Sequence, residues 1–166
     1  MFHVAVTRGS ASVAVVVPDR APSPFVAQLG RERGLRLHRF KRTMGLARVQ
    51  LVLGILRGIG PSELLDIGGG RGAFLWPLLD SLPWLPVTAA DILDDRVRGL
   101  QFVADGGVAT LTATQADATS LPFPDRSFDV VTMLEVLEHI PDTAAALRSV
   151  LRVASRFVIL SVPSKP

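Results

Sequence analysis

Hydrophobic positions recur along the chain in two periods, and the switching between them sets the expected architecture. Leu46, Val49, Leu53 and Leu56 fall three and four apart, which puts them on one face of a helix. Gly58-Ile59-Gly60-Pro61 ends that helix, the close of a helical pattern running from about Pro24 to Gly60. Short apolar or β-branched runs follow at Glu63–Ile67, Pro86–Asp91, Thr110–Gln115, Ser127–Met133 and Arg156–Val162. Helical segments are expected between them over Gly72–Ser81, Asp94–Asp105 and Thr143–Ala154. Strands alternating with helices predict βαβ units, a parallel sheet and right-handed crossovers. No internal repeat is visible.

The N-terminus follows a different pattern. Phe2–Thr7 and Ser12–Val17 alternate or run β-branched around Arg8-Gly9-Ser10, which predicts a β-hairpin, with a poorly ordered leader as the alternative. No basic stretch precedes the apolar run, so a secretory signal is not expected; a transit peptide is a weak option for this Arg-bearing, acid-poor segment. Pro18, Pro22 and Pro24 read as a linker. The expected organisation is a leader or hairpin over 1–24, a basic helical segment over 25–60 and a core over 61–166.

Composition narrows the class. The 166 residues are 48% hydrophobic and 20% charged, with a mean hydropathy of +0.37, as expected for a globular domain and not for a disordered tail. There are no cysteines, which excludes a disulfide scaffold, a zinc ribbon and a thiol nucleophile and fits a reducing, cytoplasmic setting. No apolar run reaches the ~18–20 residues of a membrane span. Residues 1–60 hold ten Arg and Lys against two acids; residues 61–166 hold eight against thirteen. The basic excess peaks at Arg31, Arg33, Arg36, Arg39, Lys41 and Arg42. A nucleic-acid or anionic-membrane contact is one reading of it. A solvated helix face is favoured, since Phe40 is the lone aromatic there.

Candidate chemistry lies at strand ends. Leu64-Leu65-Asp66-Ile67-Gly68-Gly69-Gly70-Arg71-Gly72-Ala73-Phe74 runs from a strand into a helix start. Gly68, Gly70 and Gly72 permit a tight turn and a close ligand approach, and the helix start offers unbonded N–H groups. A tight turn without a ligand is the alternative. Gly68-x-Gly70-x-x-Ala73 also fits the dinucleotide fingerprint. Asp91 ends a strand 21 positions after Gly70, where an acid accepts hydrogen bonds from ribose hydroxyls. A helix N-cap or a surface acid is the alternative for Asp91, and a nucleoside alone does not choose the reaction.

Three later segments choose. Asp117 follows the third strand in Thr114-Gln115-Ala116-Asp117-Ala118. Leu121-Pro122-Phe123-Pro124-Asp125-Arg126-Ser127-Phe128-Asp129-Val130-Val131 leads into the fourth, and Glu135-Val136-Leu137-Glu138-His139-Ile140 leaves it. In this order, with the loop and Asp91, they resemble class I S-adenosylmethionine-dependent methyltransferases of the type 11 group. The branch that includes small-molecule methyltransferases of quinone biosynthesis is the nearest in look. The resemblance covers Arg48 to Val162. A nicotinamide dehydrogenase is not expected to carry Asp66 before the loop, nor the Leu121–Asp129 segment.

The resemblance implies a Rossmann-like, doubly wound α/β fold, its mostly parallel sheet ordered 3-2-1-4-5. It implies S-adenosylmethionine as cofactor and a small-molecule or lipid-like acceptor. Gly68, Gly70 and Gly72 would shape the loop around the cofactor's amino-acid part. Asp66 would anchor that loop and reach the ammonium. Asp91 would bind the ribose diol, and Asp117, with the Ala118 backbone, the adenine. Phe128 would be core. Glu135 would sit near the sulfonium and the acceptor.

Glu135 and His139 are the candidate catalytic residues, as general bases where the acceptor must lose a proton. Packing against the strand end is the bland alternative for His139. No metal is expected. If 135–139 were helical, Glu135, Glu138 and His139 would share a face and form a minor metal option. Related small-RNA enzymes with such a run use a further histidine after the fifth strand, and none follows it here.

The family's sheet has seven strands, and this chain stops after the fifth. A fragment or truncated product is the expected reading, with an exposed apolar fifth-strand edge prone to self-association. Cover of that edge by the Phe2–Val17 hairpin is the alternative. Rival functions are a non-catalytic cofactor-binding module, an RNA methyltransferase using Arg31–Arg42, and, most distantly, a nicotinamide oxidoreductase.

Overall fold

The computed structural model describes residues 3–6, 45–69, 72–105 and 107–163. Apolar spacing builds helix α1 (Ala47–Ile59), whose buried face is Val49, Val52, Leu53 and Leu56. Gly60 ends it at φ 59° and ψ 60°, donating its N–H to the Leu56 carbonyl at 2.9 Å. Glycine adopts that left-handed cap without a steric penalty.

A six-stranded sheet follows from the short apolar runs. Its strands are β1 (His3–Val6), β2 (Leu64–Ile67), β3 (Val87–Asp91), β4 (Leu111–Gln115), β5 (Phe128–Leu134) and β6 (Ala154–Val162). Their spatial order is β1-β6-β5-β2-β3-β4. β2 to β6 pair in parallel. Counted from β2, those five strands run in the expected order 3-2-1-4-5.

The edge of β6 departs from expectation. β1 pairs antiparallel with it, His3 opposite Val162 through Val6 opposite Ile159. The backbone groups there are satisfied by β1, so that stretch is no open edge for self-association. Of the Phe2–Val17 hairpin, His3–Val6 is the described part. Its second limb, the Pro18–Pro24 linker and the Arg31–Arg42 run lie outside the described residues.

Helices α2 (Leu75–Ser81), α3 (Asp94–Asp105) and α4 (Thr143–Val153) connect the strands. α2 starts three residues later than Gly72 because Gly72 stands at φ 78°, outside the helical region. Pro77 sits in its first turn, where a missing N–H breaks no helical bond. Asp142 caps α4, accepting the Ala145 N–H at 2.8 Å. α4 passes into β6 at Ala154 with no intervening loop, two residues before the expected start.

Alternation along the strands separates two cores. Leu64, Val87, Ala89, Val130 and Ile159 pack with α1, α2 and α3 on one face. Leu65, Ile67, Ala90, Val131 and Met133 pack with α4 on the other. With both faces covered, the carboxyl ends of the parallel strands are the rim that ligands of such sheets use.

Candidate functional site

Parallel pairing brings the polar strand ends to one rim. Asp66 is the third residue of the four-residue β2, and Asp91 is the last of β3. Asp117 lies just beyond β4, and Glu135 just beyond β5. The Gly68 N–H donates to the Ala90 carbonyl at 2.7 Å, and the Ala116 N–H to the Asp91 carbonyl at 3.0 Å. These bonds hold neighbouring strand ends in register.

Asp66 is 2% exposed. Its Oδ1 accepts the Thr132 hydroxyl at 2.7 Å. Its Oδ2 is fully buried and has no hydrogen-bond partner among the described residues. A side chain added at Gly69 would place Cβ 3.1 Å from that oxygen, so the unsatisfied atom faces the glycine loop. Burial pushes the Asp66 carboxyl up to about 7; Thr132 opposes the rise and the Asp91 carboxylate adds to it.

Asp91 is also buried. Its Oδ1 accepts the Leu93 N–H at 3.0 Å, and its Oδ2 lies 3.3 Å from Arg96 Nη1. The carboxylate thus shapes the turn into α3. Ile92, next in sequence, is 59% exposed. Asp117 is exposed and caps the 3₁₀ turn Ala118–Ser120, taking the Thr119 N–H and hydroxyl on Oδ1, each at 2.8 Å. The Thr119 N–H, then its hydroxyl, hold the Asp117 carboxyl below its usual range. The Ala118 side chain is buried in the second core.

The glycines answer to the protein's own side chains. Gly68 stands at φ 69°, and a Cβ there would overlap the Val136 side chain. A Cβ on Gly72 would overlap the Trp76 indole. Gly70 lies outside the described residues.

Residues 135–139 are not an α-helix. Glu135 adopts φ 58°, and Leu137–His139 makes a single 3₁₀ turn. The shared face required by the metal option is therefore lost. Among the described residues, no three His, Cys, Asp or Glu side chains gather closely enough to hold a metal ion. The His139 side chain is 77% exposed, its Nε2 3.9 Å from Glu138 Oε1, whereas Glu135 is bound to Ser161 of β6.

The Leu121–Asp129 segment is structural. Phe128 is core, edge-on to Phe123 with centroids 5.0 Å apart. Arg152 donates to the Leu121 and Phe123 carbonyls at 2.7 Å each and pairs with Asp125 at 2.8 Å. Asp129 accepts the Ser62 N–H and hydroxyl at 2.8 and 2.6 Å.

Residues 65–159 match the methyltransferase domain family. The chain belongs to that family. It is an α/β methyltransferase domain, as its motif order implied. The domain is 40% identical over 118 residues to a ubiquinone/menaquinone biosynthesis C-methyltransferase, UbiE, of Ectopseudomonas mendocina, covering 67% of this chain and 46% of the relative. It is 29% identical to the YcgJ protein of Bacillus subtilis, with a TM-score of 0.59 over 68% of this chain and 48% of that one. An S-adenosylmethionine-dependent methyltransferase of Aquifex aeolicus shares the fold at 19% identity, with a TM-score of 0.55 over 81% of this chain and 71% of that one. The domain thus spans about half the length of the curated relatives it matches, 46% in the first case.

Sequence reasoning missed Thr132, Ser161 and Val136, each in contact with an anticipated residue. Hydroxyls inside apolar strands were the available signal for the first two, because a buried polar group needs a partner. Among the described residues, no helix is long and apolar enough to cross a membrane.

Proposed function

We propose that the rim of β2 to β5 binds S-adenosylmethionine and that the domain transfers its methyl group to a carbon of a small, lipid-like acceptor of the quinol class. The observation that carries this reading is the buried, unpartnered Asp66 Oδ2 facing the glycine loop. An oxygen so placed calls for a donor, and a cationic one is favoured. Asp91, Asp117 and Glu135 add acidity along the same rim, with Arg96 against Asp91. That set of acceptors suits a ligand bearing an ammonium, ribose hydroxyls and an adenine amino group. It repels a pyrophosphate, which counts against a nicotinamide cofactor.

In this reading Asp66 takes the ammonium, directly or through a water. Gly68, Gly70 and Gly72 shape the loop around the amino-acid end. Asp91 accepts from the ribose diol, as a carboxylate takes several hydrogen bonds at once, those of Leu93 and Arg96 among them. Ile92 offers an apolar face to the base. Asp117 accepts from the adenine amine, with the Ala118 backbone beside it. The cofactor, when bound, supplies a methyl group already activated on a sulfonium. The chain must then orient the acceptor, exclude water and accept a proton. Glu135 lies nearest the transfer, and exposed His139 is the base for an acceptor that must lose a proton. The quinol class rests on the names of the UbiE relatives.

Transfer of labelled methyl from S-adenosylmethionine to a short-chain naphthoquinol lacking its ring methyl tests the reading. Ring-carbon methylation is the expected result. Cofactor binding without transfer to any quinol would overturn the acceptor class, and absent binding would overturn the site.

A further inference from the structure

Glu135 is a non-glycine residue at φ 58°. Such a conformation costs energy and persists only where the surroundings impose it. Ser161 imposes it here from two directions. The Glu135 N–H donates to the Ser161 carbonyl at 2.9 Å, and the Ser161 hydroxyl donates to Glu135 Oε1 at 3.1 Å. Ser161 is itself 1% exposed and fixed in the sheet, opposite Leu134 of β5 and Val4 of β1. The next residue, Val136, lies against Gly68, so the turn that Ser161 holds is also the wall of the glycine loop.

We propose that Ser161 is a positioning residue that aims the Glu135 carboxylate at the cofactor's sulfonium, making this site prefer the charged cofactor over its neutral demethylated product. The inference rests on the cofactor reading above. A half-buried carboxylate held at fixed geometry attracts a sulfonium and is indifferent to a thioether. Freed of Ser161, the side chain turns to solvent and the attraction is screened. The device would help product leave after transfer.

The test is the ratio of dissociation constants for S-adenosylhomocysteine and S-adenosylmethionine, measured by titration calorimetry. Ser161→Ala is expected to reduce the preference for S-adenosylmethionine about fivefold (~1 kcal/mol), the scale of one partly exposed charge pair. Its affinity for S-adenosylhomocysteine should stay within about twofold, and Ser161→Thr should restore the preference, as the hydroxyl is retained. Glu135→Gln removes the charge and Glu135→Asp withdraws it from Ser161. Both should lose the preference with Ser161 intact, which keeps the idea testable should Ser161→Ala fail to fold. Equal weakening of both ligands, an unchanged ratio, or a ratio kept by Glu135→Asp would overturn the proposal. Failure of the unaltered protein to bind either ligand would instead overturn the cofactor reading.

Discussion

Asp66 reverses the usual carboxylate behaviour, and the reversal is measurable as stability. Its ordinary value of 3.8 rises to about 7 on folding, chiefly through burial. Below the unfolded value the group is protonated in both states and contributes nothing. Between the two values the folded protein keeps a proton that the unfolded chain releases, so stability falls as pH rises. Above the folded value the penalty levels off at ~4 kcal/mol, since each pH interval of one between the two values is worth about 1.4 kcal/mol. From about pH 5 to about pH 8 this one group should remove roughly 2–3 kcal/mol. Asp66→Asn keeps an oxygen for Thr132 and does not titrate. Its stability across that interval should therefore fall by roughly 2–3 kcal/mol less than the parent's. Urea unfolding of both proteins at several pH values reads this out, and the other titrating groups cancel in the difference. Parallel stability curves, within ~0.5 kcal/mol, would refute the reasoning.

Other substitutions probe the loop, the fold and the rim. Gly68→Ala meets both a positive φ and the Val136 side chain, and should cost more than ~1 kcal/mol in denaturant unfolding. Arg152→Ala strips the donor from the Leu121 and Phe123 carbonyls and from Asp125, and should cost ~2–3 kcal/mol, seen as a lowered Tm. Asp91→Ala should weaken S-adenosylhomocysteine binding by ~1–3 kcal/mol in a variant whose circular dichroism matches the parent's. Unchanged affinity would remove Asp91 from the site.

The strands and helices are readable because each carries its own period. The spacing of Val49, Leu53 and Leu56 identifies the buried face of α1, and α3 spans Asp94–Asp105 as expected. Strand order comes from the family resemblance, and the glycines and acids from their places at strand ends. What is not readable depends on contacts between distant segments. Thr132 and Asp66 lie 66 positions apart, and Ser161 and Glu135 lie 26 apart. Each pair is set by parallel register, which no local pattern encodes. A glutamate at positive φ leaves no mark in the sequence, because that region is otherwise glycine's. The helical option for 135–139 fails for that reason: the chain reverses at Glu135 before a helical turn can start. At the β6 edge the fold adopts the alternative reading, with β1 paired there. The alternation of Phe2–Thr7 suggests a strand, but it does not say which edge the strand joins.

The central claim is that this rim binds S-adenosylmethionine. Titration calorimetry of the unaltered protein with S-adenosylmethionine and S-adenosylhomocysteine, with NADH as the control, tests it most directly. Binding of the first two with micromolar affinity, and none of NADH, is the expected result. Binding of NADH, or no binding of either sulfur ligand by a folded protein, would contradict it.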